Sequence, residues 1–152
     1  MQIIEEEIRE VSHNLNDNFS SSKIHFGYVL NQLVENKSHL SGFAYQLNID
    51  KNIIWNNIDE IIKVNLYRII QEALQNIVKY ADAKNVVLCF LVVQNKLMVS
   101  VNDDGVGFAI KKKKKGIGIK NMKSRIQKLN GMFSIQSEIG KGTNIDFTIP
   151  FH

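Results

Sequence analysis

A hydrophobic strand pattern runs into an acidic pair and then a glycine pair in Val101-Asn-Asp-Asp-Gly-Val-Gly-Phe108, and a second glycine pair, Gly116-Ile-Gly118, follows shortly after. The order has a chemical reading. An ionised carboxylate only accepts hydrogen bonds, so Asp103, at the end of a rigid strand, can select an amino group such as the exocyclic amine of a base. Gly105 and Gly107 let backbone come close to a ligand just beyond it. Gly116 and Gly118 open a helix whose free N–H groups and dipole favour phosphate. Each piece alone is weak, because Asp before glycine is also ordinary turn chemistry.

Upstream, Leu66–Ala81 carries a second constellation. Leu66, Ile70, Ala73, Ile77 and Ala81 follow helical spacing and face a core. Arg68, Glu72, Asn76 and Lys79 fall on another stripe of the same helix. A cation, a carboxylate, an amide and a second cation on one face suit phosphate and metal chemistry. On the helix alone they read equally as a solvated face laced by ion pairs.

Taken in order, these segments resemble the ATP-binding catalytic domain of sensor histidine kinases, within the larger group shared with gyrase, the Hsp90 chaperone and the mismatch-repair ATPases. Glu72-Ala-Leu-Gln-Asn76 resembles that family's N box and Asp103-Asp-Gly-Val-Gly107 its first glycine box. Gly116-Ile-Gly-Ile-Lys-Asn-Met122 resembles the next glycine box, and Gly140-Lys-Gly-Thr143 the last. The finer likeness is to kinases related to nitrate and lipid-fluidity sensors. The resemblance implies ATP and Mg²⁺ as ligands. It assigns Asp103 to the adenine amine, Asn76 to the metal, Glu72 to a catalytic carboxylate, and Gly105, Gly107, Gly116 and Gly118 to the nucleotide. Lys79 and Tyr80 stand where relatives carry Lys-His, so the imidazole contact is replaced by a phenol. Thr143 would support the adenine end. Asp104 stands where many relatives have Asn. The short segment Phe108–Lys115 would be the ATP lid.

The elements that position these residues follow from pattern. Residues 2–18 read as a helix with Ile4, Ile8, Val11 and Leu15 at coiled-coil steps, broken at Ser20–Ser22. A second helix covers about Lys23–Lys37, with Phe26, Leu30 and Leu33 on one side. Phe43–Ile49 alternates as a strand, Asp50–Asn57 is a loop, and Ile58–Ala81 is the long helix. Val86–Val93 and Leu97–Asn102 form a hairpin around Gln94–Lys96. Ile117–Leu129 is a helix capped at Asn130-Gly131, and Met132–Ser137 and Thr143–Pro150 are strands around a glycine turn. This predicts an α/β two-layer sandwich, a mixed sheet covered by helices on one face, with an N-terminal helical segment. Residues 1–40 are expected to be a remnant of the dimerisation hairpin and linker, and 41–152 the catalytic domain.

Composition narrows the rest. The chain has 152 residues, 44% hydrophobic and 22% charged, with one proline, which suits a folded domain. Its net charge is +4, yet five of its 19 basic residues are the run Lys111–Lys115. The positive charge is therefore local, which argues against a broad nucleic-acid surface. Cys89, the one cysteine, reads as a buried strand residue and excludes a disulfide within the chain. No apolar run reaches membrane-spanning length, so a cytoplasmic location is expected, with any membrane attachment in upstream segments. The resemblance implies a homodimer through the kinase's own dimerisation domain and a response regulator of helix-turn-helix output type as partner. His13 tempts as the phosphoacceptor, but Asn14 follows it where this subfamily has an acidic residue; the acceptor is expected upstream. Two other readings stand beside the kinase: a regulatory nucleotide-binding or pseudokinase module without phosphotransfer, and an ATPase of the gyrase kind.

Overall fold

The computed structural model describes residues 26–109 and 116–151. The N-terminal helix 2–18, His13 and the run Lys111–Lys115 lie outside the described residues.

Helix α1 (Phe26–Ser41) buries Phe26, Val29, Leu30, Leu33 and Val34. It runs past the expected end at Lys37 and stops at Gly42, whose φ of 79° lets its N–H return to the Ser38 carbonyl at 2.7 Å. Strand β1 (Ala44–Ile49) follows. The expected loop after it contains a 3₁₀ turn, Trp55–Asn57, whose indole is wedged between Phe26 and Phe90 at ring distances of 5.0 and 6.3 Å.

Helix α2 (Glu60–Asn76) starts where the Asp59 carboxylate accepts the Ile61 N–H at 3.0 Å. Its core stripe is Val64, Leu66, Ile69, Ile70, Ala73 and Leu74. The expected α-helix to Ala81 loosens after Asn76 into a π turn, Ile77–Ala81, closed by Asp82 in the left-handed region at φ 47°. The wider turn changes the pitch on which Lys79 and Tyr80 are carried.

Strands β2 (Asn85–Val93) and β3 (Lys96–Asp103) form the hairpin; Gln94 and Asn95, both at positive φ, make its two-residue turn. Helix α3 (Ile117–Lys128) ends with Asn130 in the left-handed position, one residue before the glycine. Gly131 is needed for another reason: a Cβ there would run into the Thr148 carbonyl. Strands β4 (Met132–Glu138) and β5 (Gly142–Pro150) complete the sheet.

The sheet order is β1-β2-β3-β5-β4, with β1 parallel to β2 and every other pair antiparallel. The mixed sheet under helices is thus as expected, with β3 in the middle. Val86, Leu88, Phe90, Leu97, Val99, Val101, Ile145, Phe147 and Ile149 share one core with the three helices. Helix α1 belongs to this same core, although the sequence groups it with the N-terminal segment. Helices α2 and α3 run antiparallel, and two of their contacts show the register. Arg125 donates to Asn65 at 3.2 Å, and two turns away Gly118 faces Glu72.

Cys89 corrects its expectation. It lies in β2, but on the face without helices, and is only half-buried. An unbroken apolar run in β2 hides which residues face outward, because both faces carry Val, Leu or Cys.

Candidate nucleotide site

A cavity of about 550 Å³ opens between α2, its π turn, α3 and the sheet, within the usual range for small-molecule sites. Its apolar wall is Ala73, Ile77, Val101, Ile119, Ile135 and Ile145. Glu72, Asn76, Lys79, Tyr80, Asp103, Gly107, Gly116, Gly118 and Thr143 line it. Nine of the expected site residues, drawn from four distant segments, are therefore brought to one space. Gly105 and Arg68 are not among the lining residues. Arg68 instead donates to Gln71 at 3.0 Å along its own helix.

Asp103 is the one buried charged side chain of the described residues, at 4% exposure. Its carboxylate accepts the Gly105 N–H at 2.9 Å. Burial pushes its carboxyl above the ordinary value; the Gly105 and Thr143 backbone N–H groups pull it down and neighbouring Asp104 adds to the rise. An acceptor at the floor of an apolar cavity is held at a desolvation cost, which is tolerable where a ligand brings a donor to it.

Asp104 does something the sequence left open. Its exposed carboxylate takes the Lys84 and Asn85 N–H groups at 2.8 Å each and the Asn85 amide at 2.9 Å. It ties the start of β2 to the end of β3 and so fixes the chain direction that buries Asp103. Those Asn85 and Lys84 bonds hold its carboxyl below the ordinary value. Its stabilising effect is then present at neutral pH and fades as the pH falls through the folded-state value. Asp104→Ala is expected to cost about 1 kcal/mol, the bonds being open to solvent. Thermal unfolding of the two proteins at neutral and acid pH checks it: the gap in Tm should close on acidification.

The first glycine box also makes close contacts within the protein. A Cβ on Gly105 would strike the Ala81 carbonyl, which accepts the Val106 N–H at 2.7 Å. A Cβ on Gly107, at φ 63°, would strike the Glu138 carbonyl. Both glycines seat protein backbone against protein backbone. Gly105 locks the box to the π turn, and Gly107 locks it to the β4–β5 turn, where the Val106 carbonyl also receives the Gly140 N–H at 2.7 Å. No described residue lies within 4 Å of a Cβ on Gly116, while a Cβ on Gly118 would meet the Glu72 carboxylate.

Ser137 and Asn121 were missed. The Ser137 hydroxyl accepts the Phe108 N–H at 2.9 Å, reaches the Gly142 carbonyl at 3.1 Å and pairs with the Thr143 hydroxyl at 2.8 Å. Thr143 is thereby oriented by a residue on the neighbouring strand. Ser137 faces Thr143 across the β4–β5 register, a relation visible only once the strands are paired. Asn121 lines the cavity from α3; its place inside the second glycine motif was the available signal.

Among the described residues, no group of three or more His, Cys, Asp or Glu is placed to hold a metal ion. Asn76 offers one neutral oxygen donor, a contribution that suits Mg²⁺, which keeps water and phosphate oxygens as its other ligands.

A mixed sheet under helices, with a buried acceptor carboxylate at one end of the cavity and a helix N-terminus at the other, is the architecture of an ATP-binding α/β sandwich. Residues 62–152 match the histidine kinase-, DNA gyrase B-, and HSP90-like ATPases, and the chain belongs to that family. It is 34% identical over 123 residues to the sensor histidine kinase ComP of Bacillus subtilis, covering 79% of this chain and 16% of that protein. It is 31% identical over 116 residues to the oxygen sensor histidine kinase NreB of Staphylococcus carnosus, covering 75% of this chain and 33% of that protein. The chain thus spans a minor part of these relatives. Its fold is that of the histidine kinase domain of a blue-light-activated kinase from Erythrobacter litoralis (TM-score 0.74, 19% identity, 96% of this chain and 74% of that one). It is likewise that of ShkA in complex with AMPPNP (TM-score 0.68, 21% identity, 84% and 30%). The family marks it as an ATP-binding domain, and the relatives to which it is similar are sensor histidine kinases. No helix of the described residues is long and apolar enough to cross a membrane.

Proposed function

We propose that this domain binds ATP·Mg²⁺ and presents the γ-phosphoryl group to a histidine on the dimerisation domain of its parent kinase, for later transfer to a response regulator in the cytoplasm. The observation that carries the reading is Asp103, a buried acceptor at the floor of an apolar cavity whose far end is the N-terminus of α3. Adenine lies against Ile77, Val101 and Ile145 with its amine on the Asp103 carboxylate. Thr143, held by Ser137, flanks that end. Mg²⁺, when bound, neutralises phosphate charge and draws electrons from the transferring group. Asn76 supplies a side-chain oxygen to it, and Lys79 adds positive charge at the phosphates. The Tyr80 hydroxyl donates from the same turn. Glu72, one turn before Asn76, orients the attacking group. Most of the work is positioning and charge compensation. The kinases named among its relatives support this reading over a pseudokinase module, as does the joint presence of Glu72, Asn76 and Asp103.

Asn76→Ala is expected to weaken a non-hydrolysable ATP analogue roughly tenfold with Mg²⁺ present, and hardly at all with the metal chelated. Calorimetric titration under both conditions checks it. Equal losses with and without Mg²⁺ would remove Asn76 from the metal. For the reaction itself, the full-length protein is incubated with γ-labelled ATP and Mg²⁺. Acid-labile, base-stable label on histidine supports the proposal; tight binding without any such label favours the regulatory module.

A further inference from the structure

The two glycines of Gly116-Ile-Gly118 are equivalent as a motif but not in space. Among the described residues nothing lies near the position of a Cβ on Gly116, whereas a Cβ on Gly118 would overlap the Glu72 carboxylate and crowd its Cδ and Cγ. Both residues line the cavity. Gly118 lies in the first turn of α3, and its contact with Glu72 joins α3 to α2 two turns away from the Arg125–Asn65 hydrogen bond. We infer that Gly118 is a positioning residue: its missing side chain is the slot in which the Glu72 carboxylate rests against α3. The inference rests on the phosphoryl-transfer reading given above and assigns this glycine a role toward Glu72 rather than toward the nucleotide.

The physical consequence is specific. The obstructing group is the flexible end of a side chain, so Gly118→Ala displaces the carboxylate by a χ rotation and leaves the fold intact. Alanine is also the better helix former at this position. The substitution should therefore separate stability from activity.

The test uses four proteins: native, Gly118→Ala, Glu72→Ala and the double variant. Phosphoryl transfer from γ-labelled ATP with Mg²⁺ to histidine is measured in the full-length protein, the label moving to the imidazole and ADP leaving as the other product. Gly118→Ala is expected to keep or raise Tm yet lose roughly tenfold in transfer rate, with Glu72→Ala on top adding less than about twofold. Losses that multiply, or a native transfer rate in Gly118→Ala, would overturn it. A second readout needs no nucleotide. The amide resonances of Gly118 and Ile119 should respond to Glu72→Ala in the native background and not in Gly118→Ala. A response in both backgrounds, or in neither, overturns the slot even if the protein proves not to transfer phosphoryl groups. Nucleotide inactivity with the expected resonance pattern would leave the slot standing and remove only the kinase reading.

Discussion

Asp103→Asn is expected to lower the affinity for ATP by about 2–4 kcal/mol, roughly 30- to 1000-fold, while making the ligand-free domain more stable. The amide is nearly isosteric, and its oxygen can still accept the Gly105 N–H now held at 2.9 Å. Its NH₂, however, turns a donor toward the adenine amine, so two donors meet in a dry cavity. The stability gain has its own sign. Burial raises the Asp103 carboxyl above its ordinary value, so the folded state holds that proton more firmly than the unfolded chain does. The native protein therefore loses stability as the pH rises from the ordinary carboxylate value through the raised one, and carries the full penalty above it. The variant carries none of it. Its Tm should exceed the native one at neutral pH, with the advantage vanishing below the ordinary carboxylate value. Calorimetric titration and thermal scans across pH check both halves. A variant that binds ATP as well as the native chain would remove Asp103 from the base; one that binds weakly but melts lower would mean that the carboxylate is needed by the fold.

Gly107→Ala is expected to destabilise the domain by about 2–5 kcal/mol with no nucleotide present. Two costs add. A φ of 63° strains an L side chain by about 1–2 kcal/mol, and the new Cβ is driven into the Glu138 carbonyl, with the Gly142 carbonyl also within contact, an overpacking cost of typically about 1–3 kcal/mol. Neither neighbour is a movable side chain; both belong to the β4–β5 turn. A drop in Tm of roughly 4–20 degrees follows for a domain of this size. The measurement is thermal or urea unfolding of the ligand-free protein. Were the glycine present only to admit a nucleotide, the ligand-free variant would melt like the native chain and only binding would suffer.

Gly107 also marks where sequence reasoning stopped. The order strand, Asp103, Gly105, Gly107 is local, so the turn and the acceptor carboxylate were legible. The partners of those glycines were not. Ala81, Glu138 and Glu72 stand far from them in the chain and meet them only through the sheet register and the α2–α3 pairing. The same holds for Asp104, whose three bonds end on Lys84 and Asn85 across the β2–β3 hairpin. Helix periodicity gave Leu66–Ala81 its faces correctly, because α2 packs one apolar stripe on the sheet. It could not reveal the π turn, since one inserted residue leaves the apolar spacing of Ile77 and Ala81 intact. Cys89 misled for the opposite reason: local hydrophobicity was real, but the helices cover the other side of the strand.

The two ends of the cavity stand on parts of unequal permanence. Asp103 ends β3, which is laddered on both sides by β2 and β5 and cannot come apart without the whole domain. The first turn of α3 is in no strand ladder; it rests on the Glu72 side chain of α2 and packs Ile119 against the core. Local opening of one helix end is a far smaller fluctuation than loss of a central strand. In the binding mode proposed above, a nucleotide spanning both would meet a laddered strand end at its base and a helix end outside the sheet at its phosphates, so local opening of the site would begin at the phosphates.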